Sequence, residues 1–310
     1  MIHYLNHSDI DKLKWDDCIT RSVNTIIYAH SWYLDIVCPG WDALVEDDYL
    51  SLFPLTHNRK FGVSYLFQPY FTQQLGLFTR NHLTENLVHN FLDSIPHKFR
   101  FAEIHLNSLN KVDTSVFQAS LRVNLELDMI NTYENLRKNY DQNAKRNLKK
   151  AFESSVTIQR KVGPDELITL FRENYGKKEK KIKFGHYEVL QKLISYCLKK
   201  KSGVVMGALL PDGKLCAAAF FLLDRSRVIF HFAASDSRAR ETGAMFLLID
   251  SFIREHAGQA LTLDFEGSND PKVARFYKSF GAAECNYYKV TINRLPWIAK
   301  KAVYFKKRFW

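Results

Sequence analysis

The stretch that begins at Val228 has the residue types and spacing of a phosphate site. It reads VIFHFAA, then SDSRARET, then GAMFLLIDSFIREH. That is a strand, a polar loop and a helix, with Met245, Leu248, Ile249, Phe252 and Ile253 on one helical face. A loop ending in Thr242-Gly243 at a helix start offers unpaired backbone N–H groups and the positive end of the helix dipole. Together these bind phosphate or pyrophosphate. Arg238 and Arg240 in the same loop can add charge-assisted hydrogen bonds. The neighbouring polar residues are plainer: His231 alternates along its strand as a sheet histidine does, and Ser235 and Asp236 read as turn residues. No G-x-S-x-G, G-x-G-x-x-G or P-loop pattern occurs, so a serine nucleophile and the common nucleotide loops find no support. The five cysteines (Cys18, Cys38, Cys197, Cys216 and Cys285) are scattered, without a C-x-x-C pair. Neither a disulfide framework nor a metal site is expected.

Such a loop needs a sheet and helices to hold it. Around it the pattern predicts strands over 203–210, 214–223 and 228–234, a helix over 241–256, a strand over 260–265, a helix over 271–280 and a strand over 287–292. Upstream, Tyr133, Leu136, Tyr140, Ala144, Leu148, Ala151 and Phe152 form one helical stripe. A strand over 156–161 and helices over 163–174 and 186–199 follow. The N-terminal part reads as a helix over 9–21, a β-rich stretch from 41 to 78, a helix over 84–94 and strands over 101–106 and 121–129. Within it, 49–56 and 61–67 read as strands joined by a turn at His57-Asn58-Arg59-Lys60. Strands first paired as a meander and then alternating with helices point to an α/β sheet. The chain also repeats itself without gaps, 53–76 lying over 220–243, so that Gln73-Gln74-Leu75-Gly76 falls on Arg240-Glu241-Thr242-Gly243.

The 310 residues are enough for two domains. The basic excess is regional: 137–201 carries 18 Lys/Arg against 7 Asp/Glu, an excess equal to the net +11 of the whole chain. Such a segment is either a solvated helix face or a surface for a polyanion such as RNA, anionic lipid or a phosphorylated cofactor. The first residues do not form a secretory h-region, and the longest apolar runs are too short to span a bilayer. A reduced, cytoplasmic protein is the expectation.

About 25 residues beyond the loop comes the strand LTLDFEG, then Ser268-Asn269-Asp270-Pro271, then the helix KVARFYKSFGA. Phe276-Tyr277-Lys278-Ser279-Phe280-Gly281 resembles the second conserved helix of the GNAT superfamily of acyl-CoA N-acyltransferases. Arg240-x-x-Gly243 falls where that superfamily keeps its acyl-CoA loop, with Met245 in place of the last small residue. Asp270 replaces an Asn, although Asn269 is adjacent. LDFEGSND followed by FYKSFGA also resembles the FemAB-like branch, in which two GNAT domains are fused.

The resemblance implies two tandem GNAT-like domains, each a mixed, mostly antiparallel sheet flanked by helices: a degenerate one over 1–130 and one carrying the donor site over 131–310. It implies direct acyl transfer from acyl-CoA, acetyl-CoA first, to an amine. The donor would lie in a slot between 228–234 and 261–265, against Phe232, Ala233, Ala234, Arg238, Arg240, Glu241, Thr242, Gly243, Ala244, Asn269 and Phe276. Tyr277 would protonate the departing thiolate, and Glu266 or, second, Asp264 would take the amine's proton. Two alternatives stay open. One is FemAB-like transfer of an aminoacyl group from tRNA to a cell-wall precursor, with tRNA on 137–201. The other is a degenerate binding module. The tail over 295–310, LPWIAKKAVYFKKRFW, either caps the domain or rests on anionic membrane.

Overall fold

The computed structural model describes residues 1–176, 182–267 and 270–297. It divides into two compact units, Met1–Arg122 with the described part of Asn286–Trp310, and Val123–Cys285.

The first unit starts with β1 (Ile2–Leu5) and helices α1 (Lys12–Arg21) and α2 (Ser31–Val37). Strands β2 (Asp42–Glu46), β3 (Ser51–Leu55), β4 (His57–Lys60), β5 (Val63–Leu66) and β6 (Phe78–Thr79) follow, then α3 (Glu85–Asp93), β7 (Phe99–His105) and β8 (Ala119–Arg122). The turn expected at 57–60 is instead a strand. β4 and β5 pair from His57↔Leu66 to Lys60↔Val63, and the chain reverses at Phe61-Gly62, both at positive φ. Glycine is what such a hairpin turn requires.

The second unit begins with β9 (Leu125–Asp128), α4 (Tyr133–Lys138), α5 (Gln142–Glu153), β10 (Thr157–Gln159) and α6 (Pro164–Phe171). It continues with a π-helical turn at Arg172–Gly176, α7 (Phe184–Lys200), β11 (Gly203–Leu209), β12 (Leu215–Leu223) and β13 (Arg227–Ser235). It ends with α8 (Ser237–Thr242), α9 (Ala244–His256), β14 (Thr262–Asp264), α10 (Pro271–Lys278) and β15 (Ala283–Glu284). The expected long helix from Tyr133 breaks before α5, because the Asp141 side chain caps a new start at the Ala144 N–H. Seven strands form one sheet in the order β10-β11-β12-β13-β14-β9-β15. All its ladders are antiparallel except β13 with β14. Helices α5 and α9 close its core, where Phe252 stacks on Phe221 with ring centroids 4.0 Å apart.

The last strand, β16 (Tyr287–Asn293), pairs with β7 and β8 and so belongs to the first unit. The units therefore do not follow a division at residue 130. The expected strand over 121–129 is split between them as β8 and β9, and the closing strand returns to the sheet β4-β5-β7-β16-β8.

The architecture is α/β, with mixed, mostly antiparallel sheets flanked by helices. The gapless repeat fails in detail. β6 follows Gly76, whereas α9 follows Gly243. A Cβ at Gly76 would lie 2.4 Å from Asn110 Oδ1, so close packing accounts for that glycine. No helix among the described residues is long and apolar enough to cross a membrane. Most of the basic aromatic tail lies outside the described residues.

Asp42 on β2 gathers the polar contacts of the first unit. It accepts hydrogen bonds from the Tyr4 hydroxyl and, at 3.1 Å, from the His7 N–H. His57 Nε2 lies at 3.0 Å and Lys98 Nζ at 3.6 Å. Burial alone would raise its pKa, but His57, Tyr4 and Lys98 outweigh it and hold the carboxyl below the usual range. A depressed folded pKa gives stability that is present above the unfolded value, about 3.9, and lost as pH falls through the folded one. Asp42→Asn is therefore expected to cost about 1–3 kcal/mol at neutral pH. Thermal unfolding from pH 7 to pH 2 should show the gap to wild type closing below about pH 4.

Candidate active site

The geometry of the site follows from where β13 and β14 part. They pair in parallel at Arg227↔Thr262, Val228↔Leu263 and Ile229↔Asp264, and no further. β13 stays paired with β12 as far as Ser235, through a bulge in which Phe221 faces Phe230 and Phe220 faces Phe232. From Phe230 onward, one backbone edge of β13 therefore has no strand beside it.

A pocket of about 450 Å³ opens at this divergence. Its walls are Phe230, Ala233, Ala234 and Ser235 from β13, Ala239, Arg240, Gly243, Met245 and Phe246 from the α8–α9 junction, and Lys272, Val273, Phe276 and Tyr277 from α10. Phe171 and Tyr175 complete it and stack on one another at 6.2 Å. Tyr175 sits in the π-helical turn, an irregularity common at functional sites.

The expected loop before α9 is largely a helix. Asp236 caps α8 through the Ala239 N–H at 2.8 Å, and Gly243 ends α8 at φ +73° while starting α9. Ala244 and Met245 thus head α9, where backbone N–H groups have no acceptor within the helix. Gly243 is also pressed against α5: an added Cβ would lie 2.3 Å from the Asn147 carbonyl oxygen.

The expected donor residues separate accordingly. Ala233, Ala234, Arg240, Gly243 and Phe276 line the pocket. Arg240 and Lys272 are exposed at its rim, and neither has an ion-pair partner among the described residues. Arg238, by contrast, is held by Asp236 at 2.9 Å and Asp212 at 3.5 Å. Thr242 spends its hydroxyl on the Arg238 carbonyl, and Glu241 is exposed on α8. Phe232 packs on Phe171, with centroids 4.7 Å apart, and is not among the residues that line the pocket. Ala244 is buried beneath the junction, and Asn269 lies outside the described residues.

Tyr277 forms part of the pocket surface. Its ring stacks on Phe265 at 4.9 Å and meets Phe230 edge-on at 5.9 Å. Its hydroxyl makes no hydrogen bond to a described residue. Burial, and then the negative charge of Glu266, raise its pKa well above the ordinary phenol value, so it keeps its proton.

Asp264 does not reach the pocket. It is buried, and its Oδ2 pairs with Arg227 Nη1 at 2.7 Å. Asp264, the second expected base, is thus committed to an ion pair; Glu266, the first, lies two residues on, and like Asp264 is not among the residues that line the pocket. Among the described residues, no three His, Cys, Asp or Glu side chains gather as metal ligands.

The sequence pattern alone did not mark Phe171, Tyr175, Phe230, Ala239, Phe246, Lys272 and Val273 as wall residues. Lys272 was legible in principle, since Asp270 and Pro271 mark the helix start and put the next residue at its mouth. Phe171 and Tyr175 are four residues apart, a helical spacing that carries no sign of a pocket.

Residues 135–279, which lie within the second unit, match the family of acetyltransferase (GNAT) domains. No curated sequence matches the chain. Among solved structures, FemX is similar with a TM-score of 0.63 at 11% identity, over 91% of this chain and 96% of its own. L-PGS from Bacillus licheniformis is similar at 0.57 and 10% identity, over 96% of each chain. A conserved protein of unknown function from Bacteroides thetaiotaomicron is similar at 0.58 and 11% identity, over 94% of this chain and all of that one. At such identities the likeness is one of fold.

A phenol that packs through its ring and leaves its hydroxyl unpaired contributes nothing to stability through that hydroxyl. Tyr277→Phe is expected to melt within about 1 °C of wild type, or slightly higher, by calorimetry. A drop of several degrees would mean that the hydroxyl has a structural partner.

Proposed function

The chain has a FemAB-like GNAT fold, and from that premise we propose that its second unit transfers an acyl group from acyl-CoA to an amine by direct attack. The observation that carries this reading is the parting of two parallel strands beside a tyrosine whose hydroxyl has no partner among the described residues. A thioester laid along the open edge of β13 meets backbone N–H groups that no strand uses. Such fixed donors stabilise charge as it develops on the carbonyl oxygen. Arg240 and Lys272 are cations at the rim without carboxylate partners, the right chemistry for the donor's phosphates.

In the reaction, the amine nitrogen bonds to the acyl carbon and the C–S bond breaks. Glu266 takes the proton the amine loses, and Tyr277 gives its own to the departing thiolate. Solvent then returns a proton from Glu266 to Tyr277. The two transfers assist each other. Glu266 as an anion holds the phenol proton on; once protonated, it no longer opposes the tyrosinate.

A second reading has its own observation. Met245 occupies the pocket at the head of α9, where the superfamily loop keeps a small residue. The exposed face of α5 carries Lys145, Arg146, Lys149 and Lys150, on the helix whose Asn147 touches Gly243. A donor carried on RNA, as the FemAB-like likeness implies, would use that face.

The test begins with thermal shift against acetyl-CoA and longer acyl-CoAs. A donor at 100 times its Kd stabilises the folded state by about 2.7 kcal/mol. Tyr277→Phe should then lower kcat by roughly 10²–10⁴. Arg240→Ala and Lys272→Ala should mainly raise the donor KM, each by about 3- to 10-fold for a solvent-screened contact. No shift at millimolar acyl-CoA, together with tRNA binding that weakens steeply with salt, would transfer the assignment to the second reading.

A further inference from the structure

Arg227, the first residue of β13, ties three strands together. Its Nη1 lies 2.7 Å from Glu126 Oε1 on β9 and 2.7 Å from Asp264 Oδ2 on β14. The other oxygen of Asp264 accepts the Glu266 N–H at 2.8 Å. That hydrogen bond spans a strained piece of backbone, since Glu266 sits at φ +57° and Gly267 at φ +51°. A side chain with a Cβ avoids this region unless its surroundings enforce it. The turn is confined from below as well: a Cβ on Gly267 would lie 2.3 Å from the Val123 carbonyl oxygen and 2.6 Å from Asn124 Cα. Glu266 is thus the residue that must accept the strained conformation, and Asp264 is the side chain that fixes it.

Resting on the acyl-transfer reading, we propose that Asp264 is a positioning residue: oriented by Arg227, it pins the Glu266–Gly267 turn so that the Glu266 carboxylate stands beside Tyr277. Asp264 acts through Glu266 and touches no reacting atom. Its two oxygens have separate tasks, one on the guanidinium and one on the backbone N–H. The contact with the Glu266 N–H is what holds the turn, and the guanidinium orients the carboxylate to make it. Phe265, the residue before Glu266, stacks on the Tyr277 ring at 4.9 Å, so the turn begins beside the phenol.

The experiment compares Asp264→Ala with Asp264→Asn, because Asn keeps an oxygen for the Glu266 N–H and Ala does not. In steady-state kinetics, Asp264→Ala should lose about 10- to 100-fold in kcat with the donor KM changed less than about 3-fold, and Asp264→Asn should recover most of the loss. Glu266→Gln should cost little further in the alanine background, since both changes remove one function. Independent, additive losses would overturn the proposal.

A second readout needs no activity. In protein labelled with ¹³Cζ-tyrosine, the signal missing from Tyr277→Phe identifies that residue. It should move in Asp264→Ala and return toward its original position in Asp264→Asn. An unmoved signal overturns the positioning role even if acyl transfer is found. A signal that moves as expected in a protein without acyl transfer would sink the functional reading and leave the positioning intact. Should the alanine variant fail to fold, Arg227→Lys replaces it. One point charge cannot satisfy two carboxylates as a guanidinium does, so a partial movement is expected and none would refute the proposal.

Discussion

Arg227 is the point on which the second unit turns. Its guanidinium is shared by Glu126 and Asp264, and those two carboxylates keep it charged against the cost of burial. Taking three charges out of water costs several kcal/mol per ion, and their attraction repays this only when the geometry is good. Apolar residues of similar volume would stabilise the unit at least as well. What an apolar replacement could not do is fix the strand divergence. The ion cluster joins β9, β13 and β14 beside the last parallel pair, Ile229 with Asp264. Below that point the sheet is continuous, and above it β13 and β14 separate. The pocket exists because hydrogen bonding between them stops there.

The remaining parts of the site hang from the same junction. Phe265 follows Asp264 and still bonds to β9 through Leu125, so its ring stays fixed under Tyr277. Glu266 comes next in the strained turn, and Asp270 then caps α10, which returns Tyr277 to the wedge. On the other side, β13 runs on to Asp236, whose side chain caps α8. Two short capped helices thus bring their residues to one opening from opposite sides. The walls are aromatic and apolar, while the cations sit only at the rim. A ligand with an apolar arm and an anionic end suits that distribution better than a wholly polar one.

Much of this was legible from the residues. The alternation of strands and helices from Gly203 onward, the amphipathic stripe from Met245 to Ile253 and the helix at Lys272 were plain periodic signals, and the structure keeps each of them. The placement of Tyr277 and Arg240 on a common pocket followed from their resemblance to a known pattern. The failures share a physical cause. In the sequence pattern Asp264 and Glu266 read as two residues apart on one strand, which would put them on the same face. Spacing cannot show that one is consumed by an arginine 37 positions away. The last strand, β16, reads as the end of the second unit because it follows that unit in sequence. Only its pairing with β7, almost 190 residues upstream, assigns it to the first. Long-range pairing leaves no local trace when both partners have ordinary strand patterns.

The glycine of the loop shows how a motif can be right for more than one reason. Gly243 matches the pattern of an acyl-CoA loop, yet its contact with the Asn147 carbonyl and its φ of +73° already demand glycine in the absence of any ligand. Its presence therefore says little about phosphate. The side chains around it say more. Arg238 fits the motif equally well on paper, but its charge is satisfied by Asp236 and Asp212. Arg240 and Lys272 are the cations at this opening with no carboxylate against them among the described residues. An anion at the pocket mouth would gain from both without breaking an existing pair, whereas recruiting Arg238 would cost the caps and pairs that build α8. The functional charge of the loop is thus best read from what the fold leaves unspent, a property that belongs to the three-dimensional arrangement and not to the motif.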